Sequence, residues 1–245
     1  MYTKLTVEEM SLNFQKLLDV IDTHIMSPRK EQLKSFYTDH EERLTLMPAA
    51  TVDFHHNACP GGYVDHILRV VQCALNLQEQ WSSMGAVIDF TKEELVFAAL
   101  NHDLGKIGTE EAEQYLINDS EWHRKNQGKL YTFNPVNPFM TVPDRGLFLL
   151  QQRGIKISLN EYLGIKLHDG LYEESNKPYY ISNSKQSKLR TILPVILHHA
   201  DHMASIIEYQ QWLTTQPSYD QKPKSSSKPS NPMSNNDLAS IFNNF

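Results

Sequence analysis

A chain of 245 residues with 40% hydrophobic, 10% aromatic and 21% charged residues has the balance of a globular protein, which excludes a fibrous or wholly disordered one. Its formal charge of -6 and pI near 6.0 give no global electrostatic reason to bind nucleic acid, although a local basic groove would vanish in the sum. No apolar run approaches the roughly 20 residues that span a bilayer, and Cys59 and Cys73 share no metal-ligand spacing and make no disulfide framework. No membrane partner is expected, and the expected setting is a reducing cytoplasm.

Apolar residues recur at three- and four-residue spacing through most of the first 200 positions, which predicts an all-α fold. Met10, Phe14, Leu17, Leu18 and Ile21, then Leu33, Phe36 and Tyr37, predict a helical pair within residues 1–47 that packs on the core. Ser27 and Pro28 suit the cap and first turn of its second helix. Met47-Pro48-Ala49-Ala50 breaks the pattern before a main domain over 48–214. There one helix starts at Gly61-Gly62 and carries His66, Val70, Cys73, Ala74 and Leu77 on one face, and another runs from Lys92 to about Asp103. Between Asn126 and Pro143 the periodicity fails among Gly128, Pro135 and Pro138, which predicts a loop with room for a short hairpin. Helices are predicted again at 144–153, 159–168 and 188–213.

From 215 to 245, prolines, serines and lysines replace core-forming residues, which predicts a disordered tail. Its end differs, because Leu238, Ile241, Phe242 and Phe245 make one face of a short helix. Residues 236–245 are similar to the short peptides with which replication and transcription factors engage sliding clamps, so a protein partner is one expectation here.

The strongest chemical signal is Asn101-His102-Asp103-Leu104-Gly105-Lys106-Ile107-Gly108, directly after an apolar stretch. Imidazole nitrogen and carboxylate oxygen are good ligands for divalent metals, and adjacency at a helix end lets both reach one ion. Alone, such a pair reads more readily as a hydrogen-bonded core histidine. The 11 histidines cluster, however: His55-His56 and His66 precede the pair, and His168-Asp169-Gly170 and His198-His199-Ala200-Asp201-His202 follow it. Helical spacing puts His198, Asp201 and His202 along one side.

The order His66, His102-Asp103, Asp201 resembles the H…HD…D pattern of the HD superfamily of metal-dependent phosphohydrolases. Pro48-Ala49-Ala50, His55-His56-Asn57-Ala58, Gly61-Gly62 before His66, and Asn101 to Lys106 are similar to the matching stretches of HD-type 3'-to-5' exoribonucleases and of small HD proteins of large tailed bacteriophages. The likeness covers roughly residues 48–210, and a phage origin would make the setting a host cytoplasm. It implies a helical bundle in which His66, His102, Asp103 and Asp201 hold a divalent ion (Mn, Mg, Ni, Co or Fe). Such an ion polarises a phosphoryl oxygen and lowers the pKa of a bound water, with Asp103 also orienting that water. Lys106 would face substrate phosphate, and Arg69 is a second phosphate candidate that reads also as a surface arginine. Relatives with a second metal add histidines between the pair and the last Asp. His168 stands at one such place, but the other falls at Asp144-Arg145-Gly146, which has no histidine. His123, His198 and His199 are substitutes that read equally as capped, solvated or core residues.

The implied reaction is hydrolysis of a phosphate ester of a nucleotide or short nucleic acid. Two other readings stay open: a di-iron oxygenase built on the same ligand order, and a partner-docking protein acting through the C-terminal peptide. Asp169 reads as a general acid or a loop cap, and Trp81, Trp122 and Trp212 as packing or base-stacking residues. Loop 126–143 and segment 169–186, with Tyr172, Tyr179 and Tyr180, are expected to shape the pocket.

Overall fold

The structure, a computed structural model, describes residues 5–55, 57–184 and 186–216. His56 and the C-terminal motif at Leu238, Ile241, Phe242 and Phe245 lie outside the described residues. The chain folds as α1 (Val7–His24), α2 (Arg29–Asp39), α3 (Glu41–Leu46), α4 (Gly62–Ser83), α5 (Lys92–Asn101), β1 (Tyr115–Ile117), α6 (Glu121–Gln127), β2 (Tyr131–Phe133), α7 (Val142–Gln152), α8 (Leu159–Leu167), α9 (Lys177–Ile181) and α10 (Leu193–Thr214). The predicted all-α class holds, with a two-stranded antiparallel ladder as the one sheet among the described residues.

Three helices open with the same device. Thr6, Thr91 and Ser158 each accept from the amide three residues on, while Glu9, Glu94 and Glu161 reach back to the cap amide, satisfying two otherwise orphan donors. Packing then fixes them. α4 lies against α5 and α10, and α8 lies against both α5 and α10, so the four helices form a closed ring of neighbours. Ile67, Val70, Ala74, Leu95, Ala98, Leu100, Ile165, Ile196, Leu197 and Ala200 fill it and are fully buried. Each large aliphatic side chain among them contributes about 2 kcal/mol of burial free energy. Arg29 ties α2 to this ring, pairing with Glu93 at 2.5 Å and Glu161 at 2.7 Å while its guanidinium lies over Phe97.

The structure corrects four local expectations. The N-terminal pair is three helices, because α3 follows α2 after the single residue His40. Pro28 itself precedes the first helical residue of α2, and the Ser27 hydroxyl donates to Glu31 at 2.6 Å instead of capping the helix. Loop 126–143 contains no hairpin; its strand β2 pairs across α6 with β1, Tyr115 opposite Phe133. α10 starts at Leu193 and not at 188, because Asp89 draws the preceding residues into a turn, accepting from the Thr191 hydroxyl and the Ile192 amide. Pro194 then begins the first turn, where its missing N–H costs nothing.

The segment after His102-Asp103 is a 3-10 turn, Leu104–Ile107, pressed against α7. Gly105 permits this approach: a Cβ there would stand 2.0 Å from the Val142 carbonyl oxygen and 3.0 Å from the Gly146 nitrogen. Gly105→Ala is expected to destabilise the fold by about 2 kcal/mol or more through overpacking. A fall in the urea midpoint at unchanged slope would show it, and an unchanged midpoint would contradict this account of the contact.

Candidate metal centre

Each helix of the central ring supplies one part of a buried polar cluster: α4 gives His66, the end of α5 gives His102 and Asp103, the end of α8 gives His168, and α10 gives Asp201. The helix ends explain two of the histidines. His102 is the last helical-conformation residue of α5, and its Nδ1 donates to the Ala99 carbonyl at 2.8 Å. His168 repeats this at α8, its Nδ1 donating to the Ile165 carbonyl at 2.8 Å. A carbonyl only accepts, so each Nδ1 carries a proton and each Nε2 is left to face the cluster. The Nδ1 of His66 lies 3.1 and 3.2 Å from the two oxygens of Glu208.

The three Nε2 atoms converge on two carboxylates. His66 Nε2 is 3.2 Å from Asp201 Oδ1 and 3.8 Å from Asp103 Oδ2. His102 Nε2 is 3.5 Å from Asp103 Oδ2 and 3.9 Å from Asp201 Oδ1, and His168 Nε2 is 3.7 Å from Asp103 Oδ1. Donor atoms of His66, His102 and Asp103, and of His102, His168 and Asp201, lie within 4.8 Å of one another and could hold a metal ion.

The donor set fits such an ion. Ligand atoms about 2.1 Å from a common cation stand about 3 to 3.5 Å apart, close to the spacing found here. His102 Nε2 is buried and has no hydrogen-bond partner among the described residues, a state that costs about 1 to 3 kcal/mol unless something occupies it.

Electrostatics point the same way. Burial lowers His66, but Glu208 and Asp201 outweigh it and push this imidazole up to about 10. Burial holds His102 down to about 4. Burial alone would raise Asp103 and Asp201; Lys106 and the imidazoles outweigh it, and both carboxyls are held well below the usual range. The carboxylates are therefore charged, and Lys106 beside Asp103 and the His66 imidazole beside Asp201 supply the balancing positive charge.

Lys106 stands beside this cluster, donating to Asp103 Oδ2 at 2.6 Å and to the Ala49 carbonyl at 2.8 Å. Burial disfavours its charge, but Asp103 more than compensates and raises it. Both meet a cavity of about 260 Å³ whose walls include Thr141, His168, Asp169 and Asp201. The predicted pocket-shaping segments thus contribute Thr141–Pro143 and Asp169 with Glu173.

Other candidates lie elsewhere. Arg69, read as a phosphate contact, lines a separate recess of about 210 Å³ beside Trp212 and pairs with Asp65 and Glu208, each at 3.1 Å. His198 Nδ1 donates to the His168 carbonyl at 2.8 Å, so it holds the loop that presents His168. His199 faces Trp81, because a residue two positions before Asp201 points about 160° away around the helix. His123 bonds Ser120 at the start of α6. Arg145, in the segment without a histidine, is buried and braces the 3-10 turn through Gly105 O, Gln114 Oε1 and Pro138 O. The sequence reading missed Glu208, although it lies two helical turns after Asp201 and so on the same face.

The HD domain family model matches residues 63–133. This supports the HD-domain superfamily and suggests metal-dependent phosphohydrolase activity, and the matched stretch contains His66, His102, Asp103 and Lys106. His168 and Asp201 lie beyond it and join the HD residues through the fold. No curated protein and no solved structure matches the chain. The nearer likeness to exoribonucleases and phage proteins rests on the sequence alone. Among the described residues, no helix is long and apolar enough to cross a membrane.

Mn2+ at about 100 times its Kd is expected to stabilise the protein by about 2.7 kcal/mol, a rise of roughly 5 to 10 °C in Tm at this size. EDTA should reverse the rise and Asp103→Asn should remove most of it. Scanning calorimetry with and without Mn2+ measures this, and equal melting of both proteins would contradict the ligand set.

Proposed function

We propose that the chain is a metal-dependent phosphohydrolase that cleaves a phosphate ester of a nucleotide or nucleic acid at the His66–His102–Asp103–His168–Asp201 cluster. The observation that carries this reading is the convergence of three imidazole Nε2 atoms on Asp103 and Asp201 at a cavity, with Lys106 on the same carboxylate. A divalent ion held there would supply Lewis acidity toward a phosphoryl oxygen and make water a nucleophile near neutral pH. Asp103 offers Oδ1 toward His168 and Oδ2 toward His66, His102 and Lys106, which supports a role for it in orienting the attacking water. Lys106 is held at the cavity by the Ala49 carbonyl, so its ammonium can pass from Asp103 to a phosphate oxygen without leaving its seat.

Charge favours a small substrate within that class. Asp103, Asp169, Glu173 and Asp201 line the cavity against Lys106 as its lysine, so an anion enters only when cations offset the carboxylates. A larger recess of about 890 Å³, beside α3 and the β1–β2 ladder, presents Tyr115, Tyr131, Met47 and Pro48 together with Glu42, Glu113 and Asp119, and Arg43 as its single basic residue. Burial raises the Tyr115 hydroxyl, which also senses the charges of Lys106 and Asp103. Aromatic rings beside acidic groups suit a base and sugar. They lack the basic track with which proteins follow a polynucleotide backbone.

With Mn2+, hydrolysis of a mononucleotide is expected to exceed that of a long oligonucleotide. Asp103→Ala should lower kcat/KM by about 10³-fold or more, and Lys106→Ala by about 10²-fold, the effect of losing one oriented donor. Steady-state assay of the purified protein decides this; wild-type activity in Asp103→Ala would sink the assignment.

A further inference from the structure

His66 differs from its two partners in how its ring is fixed. His102 and His168 sit at helix C-termini, where the carbonyl three residues back is free to accept from Nδ1. His66 lies in the first turns of α4, whose carbonyls serve the helix ladder, so an acceptor for its Nδ1 must come from another element. Glu208 of α10 fills that place. Its side chain is fully buried, and both oxygens lie within 3.2 Å of His66 Nδ1.

A buried carboxylate costs several kcal/mol unless it is paired. Arg69, one turn after His66, provides the pairing through Nε at 3.1 Å to Glu208 Oε1. Arg69 is itself aimed by Asp65, which accepts from its Nη2 at 3.1 Å and from Asn57 Nδ2 at 2.9 Å. The chain of contacts therefore runs Asn57, Asp65, Arg69, Glu208, His66 and ends on Asp201 at 3.2 Å. Each link is a charged or amide group, and α4 and α10 supply all but Asn57.

We infer that Glu208, held by Arg69, is a positioning residue that fixes the His66 ring and strengthens its Nε2 as a metal donor. This rests on the metal-centre reading above. A carboxylate behind an imidazole locks the tautomer and feeds charge to the coordinating nitrogen, and losing such a partner typically weakens metal binding about 10- to 100-fold. It also gives Arg69 a role that needs no substrate: without it Glu208 is an unpaired buried charge.

The test is Mn2+ affinity by calorimetry on the full chain. Glu208→Gln keeps the size and one acceptor oxygen but removes the charge, and it is expected to raise Kd about tenfold or more while melting in EDTA within a few degrees of wild type. Equal Kd values in the two proteins overturn the inference. If Glu208→Gln does not fold, the double variant Arg69→Met with Glu208→Met removes both charges together, a change that buried ion pairs tolerate. It is expected to fold and show the same loss, and wild-type affinity in it overturns the inference equally. Failure of the wild-type chain to bind Mn2+ would instead overturn the metal-centre reading on which this one stands.

Discussion

Asp103 is a carboxylate taken out of water and Asp201 one largely withdrawn from it, their side chains 6% and 21% exposed, and the rest of the centre is arranged to make that tolerable. An uncompensated buried ion costs several kcal/mol, so the ammonium of Lys106 beside Asp103 and the imidazole of His66 beside Asp201 must stand where they do. The same requirement reaches the fold. The cluster takes one contribution from each helix of the central ring, and the apolar residues that close the ring bring the charges together. Packing of Leu100, Ile165 and Leu197 therefore works against desolvation of the site next to it, and the net stability is what remains. A core of this kind holds a costly site because its aliphatic burial exceeds the penalty.

Much of the fold was legible because the helices that matter are amphipathic. The apolar spacing located the start of α4 and both ends of α5 to within a residue or two, and the loss of periodicity marked the irregular stretch after α6. What escaped depended on contacts distant in sequence. The start of α10 is set by Asp89, about a hundred residues earlier. β1 and β2 are three residues each and pair across a helix, too short for an alternation to be counted. The capping boxes at Thr6, Thr91 and Ser158 were readable as Ser/Thr-x-x-Glu and would have placed three helix starts directly.

The site shows the same division. The order of His66, His102, Asp103 and Asp201 could be read along the chain, whereas the choice among later histidines could not. His198 and His199 are neighbours of Asp201 in sequence, but a helix turns about 100° per residue, so adjacency does not say which ring faces inward. In the structure His198 holds the carbonyl of His168 and His199 faces Trp81. Arg69 was left open between a phosphate contact and a surface arginine for a related reason: its partner Glu208 lies 139 positions away.

The two His-Asp pairs show how context divides one dipeptide between two tasks. Both close a capped helix, both tie Nδ1 to the carbonyl three residues back, and both lead into a 3-10 turn. After His102 the turn carries Lys106, whose ammonium draws Asp103 inward, leaving its side chain 6% exposed. After His168 comes Gly170 in the left-handed region at φ 58°, with the His198 ring 2.5 Å from where a Cβ would stand. That turn carries no lysine, and Asp169 stays at the cavity wall with its side chain 47% exposed, 3.6 Å from His168 Nε2. The first Asp thus joins the donors while the second adds negative charge at the wall. Under the proposed reading an anionic substrate would meet Asp169 on entering, and a cation held by the inner carboxylates would be what makes that entry favourable.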